Sequence, residues 1–129
     1  MTNLKTSNQT FNLEIYIITQ DLIFYGDEIL EHLSAADFSK NLNTKFNVYQ
    51  TDENVFEAEL VEVFELRNDE ILETFSLIFL LPAEFGIEQR IFKIEHPEMG
   101  MMETFIVPIR QVESGIRYEA IFNHLVRKD

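Results

Sequence analysis

Three histidines, a row of glutamates and a few serines are the residues of this chain whose types could do chemistry. His32, His96 and His124 are widely separated, and none has the paired spacing of a zinc site. His96 precedes Pro97 at a turn, so its expected role is a hydrogen bond that holds the turn rather than proton transfer. His32 and His124 stand near helix or chain ends and are expected at the surface. Glu57, Glu59, Glu62 and Glu65 could form a cation-binding row. On one strand, however, Glu57 and Glu59 share a face, and Glu62 faces oppositely unless a bulge realigns it. Calcium also needs several oxygen ligands converging from a loop, so a solvated face is expected here. Asp52-Glu53-Asn54 and Asn68-Asp69-Glu70 read as acidic turns.

The nucleophiles fare no better. Ser34 reads as a helix cap and Ser76 lies in an apolar run, neither within a Gly-x-Ser-x-Gly elbow. Cysteine is absent, which removes disulfides, thiolate catalysis and Cys-type metal sites. Four glycines do not build a phosphate-cradling loop. The expectation is therefore no catalytic, cofactor-binding or metal-ligating residue, no cofactor and no enzyme activity.

The elements that would position such groups are mostly strands. From Phe46 onward, strand-length apolar runs are separated by Gly, Pro, Asn and Asp, the pattern of a small antiparallel β domain. Between Val55 and Leu66 the apolar positions are even at Phe56, Ala58 and Leu60. They then change phase to Val61 and Val63, as a β-bulge would make them do. The alternative is a helix, because Phe56, Leu60 and Phe64 are spaced by four. Phe75 to Leu81 is apolar on both faces, the signature of a covered central strand. Pro97-Glu98-Met99-Gly100 is a tight connection with Pro and Gly at turn positions. Ser114-Gly115 reads as a two-residue hairpin turn, a register that places Arg110 opposite Glu119. Ser34-Ala35-Ala36-Asp37-Phe38 has the form of a capping box with Leu33 and Phe38 as its staple, predicting a short helix over about 35–42.

The domain so read is mainly β: a small antiparallel β barrel or sandwich of six to seven strands, with that one short helix. A core layer is expected from Phe56, Phe64, Phe75, Phe79, Phe92, Phe105 and Phe122, drawn from twelve phenylalanines. Ahead of the domain, 27–129, lies an arm, 1–26, whose first ten residues are polar. Phe11, Leu13, Ile15 and Ile17 then alternate in the manner of a strand, and Tyr25-Gly26-Asp27 closes the segment with turn chemistry. Residues 27–33 read as either a helical turn or an extended link.

The net charge of −13 argues against nucleic acid, since a polyphosphate would be repelled over most of the surface. No apolar run is long enough to span a bilayer. The N-terminus lacks a basic head followed by a clean apolar stretch, so the protein is expected to be made and folded in the cytoplasm.

The order of blocks resembles an uncharacterised bacterial domain family, found as a small stand-alone protein. Its residues here are Leu33 to Phe38, Phe46 with Val48, Glu59 to Val63, Phe75 to Phe79, His96 to Gly100, Phe105 to Pro108 and Tyr118 to Asn123. The family usually has Gly before its first strand, where this chain reads Asn43-Thr44. It also usually has Gly-Pro after the central strand, where this chain reads Leu80-Leu81-Pro82. Members often accompany phage-tail-collar-type (microcystin-dependent type) proteins. The resemblance implies a non-enzymatic structural, assembly or adaptor module in a phage-tail-like or extracellular-fibre system, with later incorporation into that assembly. Protein partners or self-association are expected, with Phe11, Leu13, Ile15 and Ile17 as the candidate interaction arm, a strand that either adds to the edge of its own sheet or pairs with the edge of another protomer. The alternatives are a small-ligand or glycan binding module and, behind it, a hydrolase or isomerase without a recognised motif.

Overall fold

Ser34 is extended, and its hydroxyl accepts the Asp37 N–H at 3.2 Å, while the Asp37 carboxylate accepts the Ser34 N–H at 2.8 Å. This reciprocal cap starts α1, Ala35–Ser39, in a computed structural model that describes residues 23–25, 28–30 and 33–125. The helix is shorter than expected. Its last turn tightens to bonds from Asn41 N–H to the Phe38 carbonyl and from Leu42 N–H to the Ser39 carbonyl. Asn43 then takes a left-handed φ of 67° and donates its N–H to the Leu60 carbonyl at 2.7 Å. Asparagine tolerates that conformation better than most side chains, which is how the chain manages without glycine here.

The strands are β1 (Ile23–Tyr25), β2 (Glu28–Leu30), β3 (Lys45–Tyr49), β4 (Val55–Asn68), β5 (Leu72–Leu81), β6 (Arg90–His96), β7 (Gly100–Val112) and β8 (Gly115–Leu125). β7, β6, β3, β4, β5 and β8 follow one another, and β8 returns to β7, so six antiparallel strands close a ring. Closure removes most of the open edges that such strands would otherwise expose. β1 and β2 form a hairpin, and β1 pairs with β7 through Ile23–Met102 and Phe24–Met101. Glu28–Leu30 is thus extended, which decides between the two readings of that stretch.

β4 changes phase where the sequence does. Leu60 pairs with Phe79 and Glu62 with Ile78, leaving Val61 as the extra residue, and a second irregularity falls at Leu66. Ala58 and Leu60 point inward before the bulge and Val63 packs against the core after it. Phe64 is therefore turned outward and is 50% exposed, contrary to its expected core place. Phe105 is half-buried, because β7 sends Met102, Thr104 and Ile106 inward. The interior instead takes Phe38, Phe46, Phe85 and Tyr118 alongside Phe75, Phe79, Phe92 and Phe122, with Phe56 packed against this cluster. β5 is buried from Phe75 to Phe79 on consecutive residues, as a strand covered on both faces must be.

The β7–β8 register differs from the expected one. Val112 pairs with Gly115, so Glu113-Ser114 forms the loop, and a bulge at Ile109 sets Arg110 opposite Arg117 and Val107 opposite Glu119. Arg117 pairs instead with Glu62 at 2.6 Å, across β5, where Ile78 is 4% exposed. Gly115 is required by packing: a Cβ there would sit 2.2 Å from the Leu81 carbonyl oxygen.

A ring closes each end of the barrel. Where β5 begins, Phe38 of α1 lies 5.4 Å from Phe122 and 5.8 Å from Phe75 between centroids. Where β5 ends, Phe85 of the 3₁₀ turn Ala83–Phe85 lies 5.2 Å from both Phe56 and Phe92 and 5.5 Å from Tyr118. Among the described residues, no helix is long and apolar enough to cross a membrane.

Candidate functional site

Among the described residues, Tyr118, the Glu73–His124 pair and His96 carry polar groups into the barrel, each by inward phase on a strand. At the end closed by Phe85, the Tyr118 hydroxyl donates to the Gly86 carbonyl at 2.6 Å and accepts the Glu88 N–H at 3.0 Å. Burial pushes the phenol above its ordinary value, so it stays a neutral donor. Gln50 donates to the Phe85 carbonyl at 2.9 Å, and Arg90 donates to the Gln50 carbonyl at 2.7 Å. Arg90 also pairs with Glu88 at 3.0 Å and lies 4.0 Å over the Phe92 ring. Nearly all of this polarity is directed at main chain, which ties the 82–90 segment down.

Under α1, one Glu73 oxygen accepts the Ala35 N–H at 3.3 Å and the other faces His124 Nε2 at 2.9 Å. Both side chains are 9% exposed, and the His124 ring stands edge-on to Phe75. His124 is thus buried, not on the surface. It continues the inward series Tyr118, Ala120 and Phe122, a period-two signal that its place near the chain end obscured.

His96 has the expected turn role. Its Nδ1 accepts N–H groups of Glu98 at 3.1 Å and Met99 at 3.3 Å, which leaves the ring proton on Nε2 to meet the Thr44 hydroxyl at 3.0 Å. The Thr44 hydroxyl in turn donates to the Asn41 carbonyl at 2.7 Å. Burial holds the imidazole below its ordinary pKa, against the opposing pull of Glu98. His96 thereby fastens the β6–β7 turn to the link between α1 and β3. His32 lies outside the described residues.

On the outside, the bulge at Val61 brings Glu62 onto the face of Glu57 and Glu59, the realignment that the strand phase left open. Lys45 stands opposite Glu59 and Arg117 pairs with Glu62. Among the described residues, no three His, Cys, Asp or Glu side chains gather in a way that could hold a metal. Asp69 accepts the N–H groups of Leu72 and Ile71 and pairs with Arg67, which together hold its carboxyl at about 2 and make it a turn residue. A groove of about 390 Å³ runs over Lys45, Phe56, Glu57, Glu59, Leu80 and Ser114, away from both buried histidines.

The DUF6916 family, a domain of unknown function, matches residues 33–122. The chain belongs to this family. The DUF6916 span opens at Leu33, beside the cap of α1, and closes at Phe122, the ring against which Phe38 packs. It therefore takes in α1 and nearly the whole six-stranded ring, while the β1–β2 hairpin precedes it. No curated protein and no solved structure matches the chain. Phe11, Leu13, Ile15 and Ile17 lie outside the described residues.

Proposed function

We propose that this DUF6916 protein is a non-enzymatic assembly or adaptor module, folded in the cytoplasm and then incorporated into a phage-tail-like or extracellular-fibre structure. The observation that carries this reading is the commitment of the interior. Tyr118, His96 and Glu73 spend their hydrogen-bonding groups on the backbone and neighbours that close the barrel, and aromatic rings fill the space between. What is left for function is the outside of the barrel and the segment ahead of β1. The resemblance of the sequence blocks to a family whose members often accompany tail-collar-type proteins supports the assembly context, an argument from association.

In this reading the alternating side chains of Phe11, Leu13, Ile15 and Ile17 are the contact with a second subunit, as apolar strands seek an edge or a face. Light scattering on the full chain and on Ile15→Lys with Ile17→Lys tests it. The expected outcome is an oligomer that the double substitution disperses without lowering thermal stability. A monomeric wild type with the same melt as the variant removes the arm as an assembly device. A second reading, a small-ligand or glycan binding module, has the outer groove in its favour, whose lining includes Lys45, Phe56, Glu57, Glu59 and Ser114.

A further inference from the structure

β4 outruns its neighbour. It pairs with β3 from Val55 to Glu59, and the ladder ends with the Leu60 N–H on the Thr44 carbonyl and the Asn43 N–H on the Leu60 carbonyl. β4 continues to Asn68 with β5 on one side only, and among the described residues no strand faces its other edge from Val61 onward. Between the bulges, Glu62, Val63, Phe64 and Glu65 pair regularly with Ile78, Leu77, Ser76 and Phe75. Alternate residues of such a run turn both N–H and C=O away from the paired strand, an open template for another. Phe64 is 50% exposed on this run and Leu66 59% exposed just beyond it.

We propose that the Glu62–Glu65 edge of β4 binds an extended strand of a cationic protein partner in antiparallel register. This rests on the reading of the chain as a protein-binding module and names a contact for it distinct from the N-terminal arm. Residues directly opposite in an antiparallel pair share a face. Glu62 Oε2 already pairs with Arg117 and Glu65 Oε2 already accepts from Asn68, so a Lys or Arg opposite either is recognised through the remaining carboxylate oxygen. Val63 and Phe64 select apolar residues, and the recognised pattern is basic-apolar-apolar-basic. A second copy of the chain is a poor occupant. Self-pairing centred between Val63 and Phe64 sets Glu62 against Glu65, and each chain carries a net charge of −13. The bulges at Val61 and Leu66 bend the strand out of register on both sides, which restricts the site to a short segment and keeps the edge from templating a long one.

The test is an NMR titration of the isotopically labelled full chain with the peptide acetyl-Thr-Lys-Val-Val-Lys-Thr-amide, and with the same peptide carrying Glu in place of both Lys. Saturable shifts centred on the amides of Glu62–Glu65 are expected. The Glu peptide should bind at least about fivefold more weakly, as two cross-strand charge pairs change from attraction to repulsion. Phe64→Lys, on an exposed side chain that leaves folding intact, should weaken the Lys peptide by a similar factor. Shifts centred elsewhere, or equal binding of the two peptides, overturn the proposal. So does a concentration-dependent dimer that protects these same amides, because the occupant is then a second copy. An oligomer that still depends on Ile15 and Ile17 while the peptides leave β4 untouched would remove the edge site alone and keep the assembly reading.

Discussion

The end of the barrel where β5 begins and the end where it finishes are both stoppered by a phenylalanine, yet they are secured by different chemistry. At the first, α1 presses Phe38 against Phe75 and Phe122, and the polar groups beneath are ionisable side chains: Glu73 facing His124, and His96 clasping its turn and Thr44. At the second, Phe85 sits on Phe56, Phe92 and Tyr118, and the phenol of Tyr118 and the amide of Gln50 bind main-chain groups of the covering loop. A short helix caps its own N–H groups through Ser34 and Asp37 and needs few bonds from the barrel. The 82–90 segment has only a three-residue 3₁₀ turn of its own, so barrel side chains must meet its backbone.

The largest effects should come from the stoppers themselves. Phe38→Ala and Phe85→Ala each empty a ring site no more than 2% exposed and should each destabilise the domain by about 3–5 kcal/mol in urea melts. Phe79→Ala, midway between them and 1% exposed, should fall in the same range. A markedly smaller loss at either end would mean that the end closes without its ring.

Tyr118→Phe keeps the ring and deletes the hydroxyl, leaving the Gly86 carbonyl and the Glu88 N–H without it. A loss of about 1–3 kcal/mol is expected at neutral pH. The wild type should also weaken as pH rises past the ordinary phenol value of 10, where the unfolded chain ionises and the buried phenol resists. The variant should show less of that alkaline loss.

The acid side should belong to the helix end. Below the ordinary histidine value of 6.5 the unfolded chain takes up a proton that the His96 ring resists, because burial disfavours its charged form, and Nδ1 is already accepting two N–H groups. Stability from this ring is present above 6.5 and is lost as pH falls toward the lower folded value. His96→Asn, which keeps an acceptor near the turn amides, should flatten the change in urea midpoint between neutral and mildly acidic pH. An unchanged slope would assign the acid sensitivity elsewhere. Smallest of all, Ser34→Ala removes one half of the capping box and should cost about 1 kcal/mol, read as a small shift in melting temperature.

Much of this fold could be read along the chain because its signals are local. The capping box at Ser34, the phase change after Leu60, the doubly apolar run at Phe75 and the turn at His96 each depend on residues a few positions apart, and all four stand in the structure. Phe64 and Phe105 were misplaced because hydrophobicity alone does not tell an inward ring from an outward one once a bulge or a neighbouring strand has set the phase. The Arg110–Glu119 register failed for a related reason. The loop residues were displaced by one and a bulge at Ile109 absorbed another, neither of which the hairpin dipeptide encodes. Of the clusters inside the barrel, only the His96 turn was legible. Its donors at Glu98 and Met99 are adjacent in sequence, whereas Glu73 and His124 lie fifty-one positions apart.

By itself, then, the sequence determined that this chain forms short antiparallel strands behind one capped helix, because period-two alternation and turn chemistry act over a few residues. Only the tertiary structure decided that the strands close by joining β7 to β8 and that Phe38 and Phe85 become the stoppers. It alone brought Glu73 to His124 and left the far half of β4 with an open edge. These outcomes depend on shear and on pairings between distant strands, and such contacts exist only once the ring is closed.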